Sequence, residues 1–133
     1  MDTLIIDDDP MAVFLTTRLL HHEGQPTDVI TSFVSPVEAV AFLQQQVLTN
    51  SLPHVVLLDL NMPLLSGWGV LEALKPLEAS LLGRCVFYIL TSSLALTDVA
   101  RAQQYPLVAG FLHKPLDGIE IQVMQARLLE TRP

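Results

Sequence analysis

The sequence predicts an α/β protein: a doubly wound sheet of five parallel strands in the order 2-1-3-4-5, with five helices covering its two faces. Three observations carry that prediction. Short apolar runs alternate with longer amphipathic stretches along all 133 residues. The run Val55-Val56-Leu57-Leu58 is apolar at every position, which marks a strand covered on both faces. The length is that of one domain, able to bury roughly 68% of its unfolded surface without cross-links.

Each element follows from local chemistry. Leu4-Ile5-Ile6 reads as the first strand, stopped by Asp7-Asp8-Asp9. Asp9 suits a helix cap and Pro10 the first helical position. That helix runs to about Glu23, with Met11, Leu15 and Leu19 on one stripe, and Gly24 ends it. Val29 to Val34 is the second strand. Ser35-Pro36-Val37-Glu38 is a capping box that opens a helix carrying Val40, Leu43 and Val47 inward. His54 to Asp59 is the third strand. After the turn Asn61-Met62-Pro63, Gly67 opens a third helix that Pro76 must stop. Val86 to Leu90 is the fourth strand, with Thr91 at its end. A fourth helix of roughly residues 96 to 104 precedes a fifth strand near Ala109 to His113. Asp117-Gly118-Ile119-Glu120 resembles a capping box, and the last helix places Ile121, Met124 and Leu128 on one face. Nothing divides the chain, so residues 1–133 are expected to form a single domain.

Composition narrows the function. Acidic residues outnumber lysine and arginine by 14 to 7, a formal charge of −7, which repels phosphate backbones and argues against binding nucleic acid. One cysteine, Cys85, forms neither an internal disulfide nor a thiolate cage, and is expected to pack at the start of the fourth strand. No apolar run reaches membrane-spanning length, and the acidic start does not fit a secretory signal. The expectation is a soluble, cytoplasmic protein.

The functional signal lies just past the strand ends. Asp7 and Asp8 follow strand 1, Asp59 ends strand 3, Thr91 ends strand 4, and Lys114-Pro115 follows strand 5. In this topology all of them meet at the carboxyl edge, where open α/β sheets bind ligands. Two carboxylates ~4 Å apart repel by about 4 kcal/mol at an effective dielectric near 20. Three therefore call for a cation or raised pKa values. Mg²⁺ fits, because it takes hard oxygen ligands and completes its shell with water and phosphate oxygens. The absence of histidine or cysteine beside the acids argues against zinc. With Lys114 and the Thr91 hydroxyl added, the rim suits phosphoryl transfer to a carboxylate.

Four segments together carry a family resemblance. Ile5-Ile6-Asp7-Asp8-Asp9-Pro10, Leu57-Leu58-Asp59-Leu60-Asn61-Met62-Pro63 with Gly67, Leu90-Thr91-Ser92 and Phe111-Leu112-His113-Lys114-Pro115 resemble the receiver domain of two-component response regulators, in order and over nearly the whole chain. The resemblance implies a flavodoxin-like fold with Asp59 as phosphoacceptor. It implies Mg²⁺ held by Asp7, Asp8, Asp59 and the Asn61 backbone carbonyl. Thr91 would bond the phosphoryl oxygen, Lys114 would pair with it, and the Lys114-Pro115 bond would be cis. Thr91 and Phe111 would form the switch. The implied partners are a sensor histidine kinase or phosphotransfer protein and a downstream protein docking on the helix 4–strand 5–helix 5 face, with the chain a monomer or weak dimer. Slow self-dephosphorylation would make it a timed switch rather than a metabolic enzyme.

Some positions depart from the family pattern. The Lys75 to Arg84 connection and the Tyr105-Pro106-Leu107 stretch are slightly long, His54 stands where an acid is common, and Phe111 lacks a tyrosine hydroxyl. Trp68 reads as packing, His21-His22 as an exposed helix end favoured by the dipole, and Ser92 as a small neighbour of the site. Two other functions compete. A haloacid dehalogenase-like phosphatase would use Asp7 as nucleophile, but needs a late acidic pair where this chain has Lys114-Pro115. A receiver-like module could also bind partners without being phosphorylated, and failure to bind Mg²⁺ or beryllium fluoride would favour it.

Overall fold

The computed structural model describes residues 1–131. In chain order the strands are β1 (Thr3–Ile6), β2 (Ile30–Phe33), β3 (Val55–Asp59), β4 (Val86–Thr91) and β5 (Val108–His113). The helices are α1 (Pro10–Glu23), α2 (Pro36–Thr49), α3 (Gly67–Ala73), α4 (Glu78–Leu81), α5 (Leu96–Ala102) and α6 (Gly118–Thr131). The strands form one parallel sheet in the order β2-β1-β3-β4-β5 among the described residues, the doubly wound, flavodoxin-like order expected from the sequence.

Apolar residues at odd and even positions of the inner strands serve two separate cores. Leu4, Ile6, Val56, Leu58, Phe87 and Ile89 face one side, packing with Val40 and Leu43 of α2 and Val70 and Leu71 of α3. Ile5, Val55, Leu57, Tyr88 and Leu90 face the other, against Leu20 of α1 and Ile121 and Met124 of α6. Each fully buried leucine or isoleucine contributes roughly 1.5–3 kcal/mol, far above any intrinsic strand preference, so burial decides the sheet.

The caps follow the sequence. The Asp9 carboxylate accepts the Met11 N–H at 3.0 Å, and the Ser35 hydroxyl accepts the Glu38 N–H at 3.3 Å. Helix α1 ends at Glu23 as expected. Its burial does not follow the Met11-Leu15-Leu19 stripe. Met11 and Leu15 are exposed, and Thr16 and Leu20 turn inward with Val13 and Leu19 packed partly against the sheet. The helix is apolar on more than one face, and contact with the sheet selects which one is covered.

The helix count is also corrected, to six among the described residues rather than five. Pro76 does stop α3, but it then starts a 3₁₀ turn (Lys75–Leu77) that runs directly into α4. The long connection folds because Leu81 reaches the core and is fully buried. Gly83, at φ +78°, then turns the chain into β4. The fourth predicted helix corresponds to α5 and stops at Ala102, two residues early.

A register irregularity sets the last piece of the rim. Phe87 pairs with Val108 but Tyr88 pairs with Gly110, which leaves Phe111 beside Ile89 and His113 beside Thr91. Lys114 thus begins one step past Thr91, and its N–H donates to the Thr91 carbonyl at 2.9 Å.

Candidate functional site

Asp7 leaves β1 fully covered, and its N–H donates to the Phe33 carbonyl of β2 at 3.2 Å. Its Oδ1 accepts the Asp9 N–H at 3.1 Å, which aims the other oxygen across the rim. There Lys114 Nζ donates to Asp7 Oδ2 at 2.7 Å and lies 3.3 Å from Asp59 Oδ1. Asp59 is itself buried at the end of β3. Asp8 is half-buried, and carboxylate oxygens of Asp7, Asp8 and Asp59 all lie within 4.8 Å of one another.

The electrostatics of this cluster are unbalanced. Burial pushes the Asp59 carboxyl above its usual range and the Asp7 charge adds to the rise; Lys114 and the Asn61 backbone amide oppose it without cancelling it. For Lys114, burial works against the ammonium, but the hydrogen bond and charge of Asp7, with Asp59 behind, outweigh it and hold the pKa above 10.5. Three carboxylates and one ammonium leave −3 + 1 = −2, a charge that one divalent cation cancels. The donors are hard carboxylate oxygens, so the residues present fit Mg²⁺.

Two expected partners make none of those side-chain contacts. Thr91 is buried at the end of β4, but its hydroxyl donates to the Ser93 carbonyl at 2.9 Å and accepts the Ser93 N–H at 3.2 Å. Phe111 is half-buried on β5. Asn61 is exposed, and the Lys114–Pro115 peptide is cis. Trp68 is buried as a packing residue, Cys85 is buried with its thiol pushed up to about 12 by desolvation, and His21 and His22 are exposed. His54 Nδ1 accepts the Asp2 N–H at 2.8 Å, remote from the rim.

One supporting residue escaped the sequence reading. The Glu120 N–H donates to Asp117 Oδ1 at 2.8 Å as the capping spacing implies, but the Glu120 carboxylate reaches past Asp117 to accept the His113 N–H at 3.1 Å. It thereby braces the strand end that carries Lys114. The spacing signalled a cap and held no sign of the second bond.

The chain matches the family described as response regulator receiver domain over residues 3–125. It belongs to that family. The receiver domain is similar to a two-component response regulator from Cytophaga hutchinsonii (25% identity, TM-score 0.83, 97% of this chain and 96% of that one). It is similar also to a response regulator receiver protein from Dyadobacter fermentans (27%, 0.82, 97% and 98%). A relative from Leptolyngbya boryana, described as an uncharacterized 14.6 kDa protein, is 29% identical over 126 residues, 91% of this chain and 84% of its own length. Receiver domains are phosphoacceptor switches of two-component systems that take the phosphoryl group on an aspartate and bind Mg²⁺ in an acidic pocket. They work with histidine kinases or phosphotransfer proteins and downstream targets. No helix among the described residues is long and apolar enough to cross a membrane.

Removing the ammonium tests the charge balance. Lys114→Met is expected to cost about 2 kcal/mol in metal-free buffer at neutral pH, because three carboxylates then face one another uncompensated. Millimolar Mg²⁺ should restore most of the loss. Urea melts with chelator and with Mg²⁺ check it; equal stability of variant and parent in chelator would mean the lysine offsets nothing.

Proposed function

We propose that Asp59 accepts a phosphoryl group from the phosphohistidine of a sensor histidine kinase or phosphotransfer protein, in a Mg²⁺-dependent reaction, and that the product signals by docking onto another protein. The observation that carries this reading is the convergence of Lys114 on both Asp7 and Asp59 within an acidic cluster of net charge −2. Asp7, Asp8, Asp59 and the Asn61 carbonyl would hold the ion, which when bound offsets charge on the phosphoryl oxygens.

An Asp59 carboxylate oxygen attacks phosphorus in line; the O–P bond forms as the P–N bond to the donor imidazole breaks, and the electron pair leaves with the imidazole. Lys114 pairs with a phosphoryl oxygen, the task its bonds to the two carboxylates pre-orient it for. The Thr91 hydroxyl gives up Ser93 and donates to another. Water later hydrolyses the acyl phosphate and returns Asp59. Thr91 and Phe111 pass the change to the α5–β5–α6 face, where the output protein docks. A cytoplasmic setting belongs to this reading, as the place where kinase and output protein meet.

The donor's approach has a surface to use. Met11 and Leu15, exposed on α1, line with Lys114, Pro115 and Leu116 a groove of about 410 Å³ at the edge of the site. Incubation with acetyl phosphate and Mg²⁺ tests the core of the proposal. Intact-mass spectrometry should record one added phosphoryl group, lost when Mg²⁺ is chelated. No addition under either condition would leave the chain a receiver-shaped binding module, and steady turnover of phosphate monoesters would favour the phosphatase alternative through Asp7.

A further inference from the structure

For Thr91 to donate to the phosphoryl group its hydroxyl must give up the bond it donates to the Ser93 carbonyl, while the Ser93 N–H it accepts ties it to the same segment, three residues before α5 begins. Helix α5 is lightly built. It has seven residues, no side-chain cap at Ala95, and Leu96 is 87% exposed at its start. Its far end is held by Ala102, buried in the core, and by an aromatic and cationic stack. The Arg101 guanidinium sits 5.0 Å over the Trp68 ring, and Tyr105, just past α5, stacks on the same indole at 5.7 Å. Tyr105 is tied in turn to α3 and its continuation: its hydroxyl donates to Glu72 at 3.1 Å, and Lys75 lies 5.5 Å over its ring.

The stack also reaches the site from the other side. Trp68 follows Gly67, whose N–H donates to the Leu60 carbonyl at 3.0 Å and which abuts the Asp59 backbone. Asp59, α3, the Trp68 stack and α5 therefore lie in one series, which the chain continues back from α5 to Ser93 and Thr91. Anything that holds α5 against α3 opposes release of the Ser93 segment, and so opposes the turn of Thr91 toward Asp59.

We infer that Arg101, seated on Trp68, is a positioning residue that acts through Thr91: it holds α5 in the arrangement where the Thr91 hydroxyl is spent on Ser93, and thereby weakens engagement of the phosphoryl group. This rests on the phosphoacceptor reading above. Arg101 is itself exposed, and a solvated cation over an indole is a modest contact, so the expected effect is modest and measurable.

The experiment is calorimetric titration of the chain with beryllofluoride in saturating Mg²⁺. Arg101→Ala, a surface change, is expected to tighten binding about two- to fivefold. Arg101→Lys, which keeps a cation for the indole, should return affinity toward the parent value. In a Thr91→Val background the effect of Arg101→Ala should vanish, an outcome a general loosening of the fold would not produce. Unchanged or weaker binding by Arg101→Ala overturns the inference, as does tightening that persists without the Thr91 hydroxyl. Absence of beryllofluoride binding by the parent chain would overturn the phosphoacceptor reading instead, which the same titration reports separately.

Discussion

Asp59→Asn is expected to abolish phosphoryl labelling and, in the same protein, to raise stability at neutral pH, seen as a higher Tm than the parent's. The first effect follows because the amide is no nucleophile while the fold around it is unchanged in shape. The second follows from the direction of the Asp59 pKa. Burial first, then the charge of Asp7, raise it above 3.8 despite Lys114, so the folded state holds this proton more tightly than the unfolded chain does. Between 3.8 and the raised value the folded state binds more protons, and stability falls as pH rises. Above that window the cost is complete, and the asparagine variant is spared it. Its advantage should therefore be present at pH 7 and shrink to nothing on acidification through the window. Lys114 works with the opposite sign: its pKa is raised above 10.5, so its stabilising contribution is full at neutral pH and is lost only as pH rises past its folded value. Thermal melts of both proteins between pH 4 and pH 8 check the claim. A variant less stable than its parent at pH 7 would mean that the Lys114 pair outweighs the burial and the repulsion.

Gly67→Ala should be the most damaging small substitution near the site, costing about 2–3 kcal/mol, or roughly 8–10 °C in Tm. A Cβ there would lie 2.6 Å from the Asp59 carbonyl oxygen and 3.0 Å from Leu60 Cα. Both obstacles are backbone, so no side-chain rotation relieves them and α3 must back away from the end of β3. Labelling at Asp59 should slow in step, because the strand end carrying the carboxylate moves. Gly69→Ala is the control on the same helix. Its Cβ would meet Leu65 Cδ1 at 2.5 Å, the tip of a half-buried side chain that can yield. Alanine also gains up to about 1 kcal/mol in helix propensity there, so the net change should be near zero. Equal losses at the two positions would show that the clash with Asp59 is not what matters.

The strands, the helix caps and the composition of the rim were legible because each is written in local residue types, and the sheet order followed from the commonest arrangement of alternating strands and helices. Continuous apolar runs name buried parallel strands, Asp9 and Ser35 name helix starts, and the acids, threonine and lysine fall where strands end. What escaped depends on contacts between distant segments. The face of α1 that packs inward is chosen by the sheet, which is why Met11 and Leu15 lie outside. Helix α4 exists because Leu81 finds the core, not because Glu78 to Leu81 is a persuasive helix by itself. Asp7 and Asp8 are equivalent in the sequence, yet only burial and the bond from Lys114 single out Asp7. Trp68 read correctly as a packing residue, but its meeting with Arg101 and Tyr105, more than thirty positions away, left no local trace.

The strand order has a consequence for how the molecule is made. After β1 and β2 pair, every later strand joins the same growing edge in the order of its synthesis: β3 beside β1, β4 beside β3, β5 beside β4. No strand has to be threaded between two already joined, so the ribosome can deliver the sheet piece by piece. The hazard is a stall before β5. Such a nascent chain would present β4, whose Phe87, Tyr88, Ile89 and Leu90 are buried in the finished protein, as an open adhesive border to any neighbouring strand.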